Sequence, residues 1–162
     1  MFQVAREEAQ DWWEVEALYD LCFAPGRTAL SSYRLRDGVP PVGDLCLTAR
    51  DGDGVLGAAI RFWPVRVGTW EALLLGPIAV HPTRQGEGLG GLMIREGLQR
   101  AARAGWPRSL LVGDAPYYSR FGFHKLDGVE MPPPTNPDRV LGCGDWDQVT
   151  GRVTHWKNGQ GA

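Results

Sequence analysis

The sequence predicts an α/β fold in which a mixed, mainly antiparallel sheet is flanked by helices. Three successive runs of aliphatic and aromatic residues are separated by short glycine-containing turns, the pattern of an antiparallel meander. An amphipathic stretch and a further apolar run follow, which indicates a helix that crosses over to a parallel strand. A helical pattern precedes the meander. Together these patterns predict a single domain over residues 1–162.

The N-terminal part is predicted to be helical. From Glu7 to Phe23 apolar residues recur at helical spacing, and Ala24–Gly26 ends the pattern with a proline and a glycine. A second, weaker helical segment is expected over Arg27–Arg36.

The meander comes next. Strands are expected over Asp44–Arg50, Val55–Val67 and Trp70–Val80. The D-G-D-G segment Asp51–Gly54 turns the first strand into the second, and Gly68–Thr69 turns the second into the third. Strands joined so closely pair antiparallel.

The second half begins with a helix from about Gly88 to Ala104, whose polar and apolar residues fall on opposite sides. Gly105 and Pro107 stand where a helix end is expected to have them. The remaining elements are a strand over Ser109–Val112, a short helix over Pro116–Arg120, a strand over Phe123–Leu126, a loop over Met131–Pro137 and a final strand over Val149–Trp156.

Composition narrows the function classes. The net charge is −2 and no block of basic residues suggests nucleic-acid binding. No apolar run is long enough to span a membrane, and the N-terminus lacks the pattern of a signal peptide. The three cysteines, Cys22, Cys46 and Cys143, are widely spaced and form no C-x-x-C motif. Reduced thiols in a cytoplasmic protein are therefore expected.

Glycines are densest in His81–Gly91, between an expected strand and an expected helix. Without side chains the backbone turns tightly there, and a phosphate can approach the amide N–H groups. The following helix adds unpaired N–H donors and a partial positive charge at its N-terminus. The cluster predicts a phosphate or pyrophosphate site, the other explanation being a turn that only packs helix against strand.

A dinucleotide is one candidate ligand, because Gly86, Gly88 and Gly91 satisfy G-x-G-x-x-G and Asp114 follows at a suitable distance. The context does not fit. In a dinucleotide fold the glycines follow the strand almost at once, whereas His81–Gln85 intervene here. Too little chain also remains afterwards for the repeated βαβ units of that fold.

Coenzyme A is the other candidate, and two motifs resemble those of the GNAT superfamily of acyl-CoA-dependent N-acetyltransferases. Gln85–Gly90 reads Q-G-E-G-L-G and matches that family's Q/R-x-x-G-x-G/A signature. Tyr117–Phe123 resembles its second motif, in which a tyrosine, here Tyr118, stands four residues before a Gly-Phe pair. The motifs occur in the family's order and cover about Leu73–Phe123, roughly a third of the chain.

The resemblance implies which residues hold acetyl-CoA. Pro77 interrupts a central strand, where proline cannot donate a ladder hydrogen bond. In this family the sheet splays after that strand, and the pantetheine arm pairs with the backbone in the gap, which would explain the proline. A simple bulge at a sheet edge is the other explanation for Pro77. The positions expected to contact pantetheine are Ile78, Ala79 and Val80. Those expected to bind the adenosine diphosphate part are Gln85, Gly86, Glu87, Gly88, Leu89, Gly90 and Gly91.

By the same resemblance, Tyr118 is the general acid that protonates the departing sulfur. A phenol, with an ordinary pKa of about 10, carries its proton at neutral pH. Tyr117 is the substitute if the register shifts by one, and packing is the other role for Tyr118. Many family members have an asparagine seven residues before this tyrosine, where Leu111 stands here. A backbone N–H near Ile78 is the expected donor to the thioester oxygen.

No residue is assigned as the general base. Glu71 lies near the far end of its strand, and His81 follows the strand exit next to the expected phosphate site. Asp114 is expected to cap the short helix that begins near Pro116. The three histidines are scattered and suggest no metal site.

The sequence therefore predicts an acetyl-CoA-dependent N-acetyltransferase in which a primary amine attacks the thioester directly within a ternary complex. The acceptor, a small molecule or a peptide, is not identified, and a homodimer is expected from the resemblance alone. A CoA-binding or sensor domain without turnover is the alternative. Aromatic residues in the expected substrate regions either line an amine pocket or pack in the core: Trp12, Trp13, Tyr33, Trp63, Trp146 and Trp156.

Overall fold

A computed structural model describes residues 1–23 and 34–159 of the chain. The strands of these ranges are β1 (Gln3–Arg6), β2 (Leu47–Arg50), β3 (Leu56–Val67), β4 (Trp70–Val80), β5 (Arg108–Val112), β6 (His124–Lys125), β7 (Val129–Glu130), β8 (Val140–Gly144) and β9 (Gly151–His155). The helices whose bounds lie within these ranges are α1 (Trp12–Cys22), α2 (Leu89–Arg103) and α3 (Ala115–Tyr118).

The described strands form one mixed sheet with the order β1-β2-β3-β4-β5-β8-β6. Neighbours along this path are antiparallel except β4 and β5, which are parallel and connected through α2. Strand β9 pairs antiparallel with the end of β3, and β7 pairs parallel with β9. A mainly antiparallel sheet with a parallel crossover at the central helix confirms the predicted fold class.

The two central strands, β4 and β5, are paired over a short stretch only. Leu73 is aligned with Ser109 and Leu74 with Leu110. Beyond this point β4 continues beside β3 as far as Val80, while β5 continues beside β8. The middle of the sheet therefore opens after Leu74, as the splayed sheet expected from the resemblance requires.

A β-bulge lies in β4 at the same place. Ile60 of β3 is aligned with Ile78, and Phe62 is aligned with Leu75. Two residues of β4 thus face one residue of β3, and the bulge contains Pro77, which has no N–H to contribute to a ladder. The bulge is in a central strand beside the opening of the sheet, not at a sheet edge.

The two long helices cover opposite faces of the sheet. Ile94 of α2 belongs to the same core cluster as Ile60. Leu18 of α1 packs in another cluster with Ala59 and Ala79. Because consecutive residues of a strand point to opposite faces, Ala59 and Ile60 place α1 and α2 on opposite sides of β3.

The first helix begins later than the sequence pattern predicts, at Trp12 rather than Glu7. The preceding residues form β1 and a 3-10 turn, neither of which the pattern predicts. The Glu7 carboxylate lies 2.9 Å from the guanidinium of Arg61 on β3, and Asp11 accepts a hydrogen bond of 2.8 Å from the N–H of Glu8. These tertiary and capping contacts interrupt a helical pattern that is continuous in sequence.

Other differences lie in the strands. The strand expected from Asp44 begins at Leu47 after a 3-10 turn, and the last strand is shorter than expected, Gly151–His155. The pattern predicts neither β7 nor β8. Two of the five residues of β8 are glycine, which disfavours a strand, but a Cβ on Gly142 would lie 2.6 Å from side-chain atoms of its neighbours. The other expected elements begin and end within two residues of those observed.

The aromatic residues do not share one environment. Trp12 and Trp13, at the start of α1, expose 47% and 78% of their surface, so core packing is wrong for these two. Tyr33 and seven of the ten residues of the helix expected over Arg27–Arg36 lie outside the described residues. The others singled out from the sequence are half-buried: Trp63, Trp146 and Trp156.

The cysteines are free, with Cys46 buried and Cys22 and Cys143 half-buried. In the described part of the chain, no helix combines the length and the apolar character that a membrane crossing needs. Nor do those residues contain a cluster of three or more His, Cys, Asp or Glu side chains suited to a metal ion.

Candidate active site

The glycine-rich segment connects β4 to α2 through a 3-10 turn. His81 caps this turn, because its Nδ1 accepts a hydrogen bond of 3.2 Å from the N–H of Thr83. Gly86 and Gly88 then adopt positive φ angles of 90° and 76°, which residues with a side chain rarely adopt. Gly88 is also the N-cap of α2, so the turn and the helix start are built on the glycines of the sequence motif.

The start of α2 leaves room and donors for an anion. A Cβ on Gly86 or Gly88 would meet no protein atom within 4 Å. The N–H of Leu92 bonds to the carbonyl oxygen of Gly88 at 3.1 Å, so the N–H groups at the first positions of the helix have no partner four residues back. Open space, unpaired donors and the helix dipole together suit a phosphate group.

A cavity of about 490 Å³ lies against this helix start. It brings together most of the residues expected to hold acetyl-CoA, and it also reaches Tyr118. Ala79 is not among its lining residues, since it points toward α1, and Glu87 is exposed, 3.9 Å from Arg84. The lining residues are Ile78, Val80, Arg84, Gln85, Gly86, Gly88, Leu89, Gly90, Gly91, Ile94, Arg95, Tyr117, Tyr118, Arg120 and Phe121.

Sequence reasoning missed three arginines in this lining. Arg84 pairs at 2.5 Å with Asp51, which lies in the turn between β2 and β3. Arg95 lies with its guanidinium 5.0 Å from the ring centroid of Phe121, and the guanidinium of Arg120 lies 5.1 Å from that of Tyr117. The spacing of Arg95, one helical turn after Gly91, was an available signal for one of them. Three cations around the glycine turn suit a polyanionic ligand.

Tyr118 lies at the C-terminal end of α3. Asp114 caps this helix by accepting a hydrogen bond of 3.2 Å from the N–H of Tyr117, which confirms the expected capping role. The ring of Tyr118 packs edge-on against Tyr117 at 4.9 Å and against Phe123 at 6.0 Å. Burial raises the pKa of Tyr118 above its ordinary value, because the charged phenolate is poorly solvated there. Its hydroxyl therefore stays protonated through mildly alkaline pH.

A second cavity, of about 210 Å³, lies where β4 and β5 part. It shares Ile78 and Tyr118 with the first cavity, so these two residues stand between the glycine turn and the opening of the sheet. Its described lining consists of Phe23, Arg36, Leu74, Leu75, Gly76, Pro77, Ile78, Leu111, Val112 and Tyr118.

Helix α1 fixes the backbone of β4 beside this opening. The buried hydroxyl of Tyr19 donates a hydrogen bond of 3.1 Å to the carbonyl oxygen of Pro77. Arg61 places its guanidinium 5.2 Å from the ring centroid of Tyr19 and pairs with Glu7 at 2.9 Å and with Glu16 at 2.5 Å. The bulge is therefore connected to a part-buried polar network that joins α1, β3 and the segment after β1.

The described residues that line the two cavities include no carboxylate and no histidine. Glu71 lies at the other end of β4, 3.8 Å from Arg66. The Nδ1 of His81 is engaged by Thr83.

Comparison with known proteins gives a consistent result. The family model of the acetyltransferase (GNAT) domain matches residues 43–125. The N-acetyltransferase YhbS of Escherichia coli is 32% identical over 112 residues, which cover 67% of this chain and 65% of YhbS. The N-acetyltransferase YjhQ of the same organism is 38% identical over 64 residues, 40% of this chain and 35% of YjhQ. The matches thus span less than two thirds of these relatives.

Solved structures match over more of the chain. The crystal structure of YhbS from Escherichia coli in complex with CoA has a TM-score of 0.81 at 26% identity, and the superposition covers 96% of this chain and 90% of that chain. A GNAT family acetyltransferase from Brucella melitensis in complex with acetyl-CoA has a TM-score of 0.73 at 30% identity, with 96% of both chains covered.

Proposed function

The chain belongs to the GNAT acetyltransferase family, and on that premise we propose that it is an N-acetyltransferase that transfers the acetyl group of acetyl-CoA to a primary amine. The observation that carries the proposal is the cavity that extends from the glycine turn to Tyr118 and shares two residues with a second cavity in the opened sheet. Such an arrangement lets a thioester and an amine approach each other from two sides.

The residues present fit acetyl-CoA. The open space at Gly86 and Gly88 and the helix N–H groups suit the pyrophosphate, and the guanidinium groups of Arg84, Arg95 and Arg120 suit its negative charges. The backbone of β4 around Ile78 and Val80, where the strand no longer pairs with β5, suits the polar amide groups of pantetheine. YhbS and the Brucella protein, similar over nearly the whole chain, were crystallised with CoA and acetyl-CoA respectively.

The reaction is direct attack of a neutral amine on the thioester carbonyl carbon. A C–N bond forms, and the C–S bond breaks as the tetrahedral intermediate collapses. We assign the backbone N–H near Ile78 to the developing oxyanion, because Pro77 has no N–H to offer. We assign Tyr118 as the acid that passes its hydroxyl proton to the departing sulfur, and water as the acceptor of the amine proton.

Two observations favour Tyr118 over Tyr117 as the acid. Tyr118 lines both cavities, whereas Tyr117 lines only the first and has its hydroxyl 3.3 Å from the position of a Cβ on Gly90, at the helix start.

Thiol release from acetyl-CoA with a panel of primary amines tests the proposal. Tyr118→Phe is expected to lower kcat by about 100-fold or more while acetyl-CoA affinity stays within about twofold. Tyr117→Phe is the matched control and is expected to keep most of the turnover. A Tyr118→Phe variant as active as the parent would remove the acid assignment. CoA binding without thiol release for any amine would favour a sensor domain instead.

A further inference from the structure

A buried arginine lies at the second cavity, where β4 and β5 part. The side chain of Arg36 is among those that line the second cavity, and the residue is only 8% exposed. A Cβ built on Gly76, in the bulge of β4, would lie 3.8 Å from Nη2 of Arg36. The guanidinium carbon lies 5.7 Å from the ring centroid of Trp63 on β3. The strand and the indole thus hold the guanidinium beside the opening of the sheet.

The positive charge of Arg36 lies in a cavity whose other described lining is mostly apolar. Arg36 is the one charged side chain among its described lining residues, and the others are apolar apart from Tyr118 and backbone groups. The attraction between an anionic group and a guanidinium is stronger in such surroundings than in water, because the effective dielectric constant is low. A second ammonium group on the acceptor would be repelled for the same reason.

The guanidinium of Arg36 also indicates which kind of anionic group the ligand carries. A guanidinium presents a planar fork of N–H donors that matches the two oxygens of a carboxylate, and such charge-assisted pairs are about twice as strong as neutral hydrogen bonds. Arg36 lies beside Gly76, a short distance along β4 from Ile78, where the reaction is proposed to occur. Gly76 and Ile78 are two residues apart on β4, which corresponds to about 7 Å at a strand rise of roughly 3.3 Å per residue.

We infer that the acceptor is a small amine that also carries a carboxylate, such as an amino acid, and that Arg36 binds the carboxylate while the amine lies near Ile78 and Tyr118. A cavity of about 210 Å³ holds a compact molecule of this kind, with a short carbon chain between its two groups. The inference deepens the proposed function and depends on it, since it names the substrate class of the same site.

Calorimetric binding to the protein–CoA complex tests the inference. The probes are the proteinogenic amino acids, β-alanine and γ-aminobutyrate, each paired with its own amide, in which the negative charge is removed and the amine retained. The best-bound acid is expected to bind at least about tenfold more tightly than its amide. If no acid in the panel binds more tightly than its amide, the inference is wrong.

Substitutions test whether Arg36 is the residue that causes the preference for acids. Arg36→Met removes the guanidinium but keeps a long unbranched side chain, and it is expected to bring the ratio of acid to amide affinity to about one. Arg36→Lys is expected to restore part of the ratio. Arg103→Met, on the exposed end of α2, is the control and is expected to leave the ratio unchanged. An Arg36→Met variant that keeps the parent ratio would overturn the inference.

The binding of CoA itself separates this inference from the proposed function. Arg36→Met is expected to bind CoA within about twofold of the parent, since Arg36 is not among the residues that line the first cavity. A parent protein that binds no CoA would overturn the proposed function and this inference together. Normal CoA binding without a preference for acids would overturn only the inference.

Discussion

The hydroxyl of Tyr19 and the carbonyl oxygen of Pro77 form a buried hydrogen bond of 3.1 Å that joins α1 to β4. The bond is made at the bulge, where β4 has already parted from β5. A strand that has lost one neighbour presents backbone groups that need other partners. Tyr19 supplies one of them from the opposite face to α2, so the bulged backbone is satisfied without closing the opening of the sheet.

Removing this hydroxyl is expected to destabilise the fold. Tyr19→Phe leaves a buried carbonyl without its donor, and the free energy of unfolding is expected to fall by about 1–3 kcal/mol. Urea denaturation measures the change. Tyr117→Phe is the control and is expected to change stability by less than about 0.5 kcal/mol, because its hydroxyl makes no hydrogen bond to a described residue. Equal stability of Tyr19→Phe and the parent would show that the bond contributes nothing.

Gly88 is expected to matter for the ligand more than for the fold. In Gly88→Leu the side chain would extend into the first cavity, where no protein atom lies within 4 Å of the Cβ position. The affinity for CoA is expected to fall by about 100-fold or more, as measured by calorimetry.

Gly105→Leu is the matched control for Gly88→Leu, at the other end of the same helix. Gly105 also has a positive φ, 92°, and open space around its Cβ position. Each substitution is expected to cost about 1–2 kcal/mol of backbone strain, whereas only Gly88→Leu should weaken CoA binding. Equal affinities in the two variants would contradict a phosphate site at the glycine turn.

The buried thiol of Cys46 is expected to make the fold less stable at alkaline pH. Burial raises the pKa of this thiol from 9.0 to about 11. Between these values the folded protein keeps a proton that the unfolded chain releases, so the free energy of unfolding falls as pH rises through this window. A difference of about two units corresponds to a loss of roughly 3 kcal/mol from this group.

Denaturation at several pH values from 8 to 11 checks this prediction about Cys46. Cys46→Ala is expected to lose less stability than the parent over that range, by about 3 kcal/mol at most. Cys22→Ala is the control, since Cys22 is only half-buried and a smaller effect is expected. Parent and Cys46→Ala curves of the same shape would show that the thiol is not held neutral by the fold.

The elements that sequence reasoning predicted well are those specified by their own residues. Strand β4 begins at Trp70 and ends at Val80 as expected, because eleven residues of mostly apolar character lie between two turn signals. Helix α2 lies within one residue of its expected bounds, because Gly88 and Gly105 mark its ends. Contacts with neighbours were not needed to define either one.

Elements specified by distant partners were missed. Strand β8 contains two glycines and gains its place from β5 and β6 on either side, with Gly142 admitting the side chains that pack over it. Strand β1 is four residues long and pairs with β2 at an edge of the sheet. A short segment of low strand propensity carries no local signal for a pairing partner more than 40 residues away.

The same division applies to the site. The order of the chain elements determined the expected fold. The Q-x-x-G-x-G segment determined the place of the glycine turn, because the backbone geometry at Gly86 and Gly88 depends on those residues themselves. That Arg36, Ile78 and Tyr118 line one cavity followed only from the three-dimensional packing. Residues from three separate segments meet there because β4 and β5 part, and a side chain's neighbours across such an opening are set by the arrangement of strands and not by spacing along the chain.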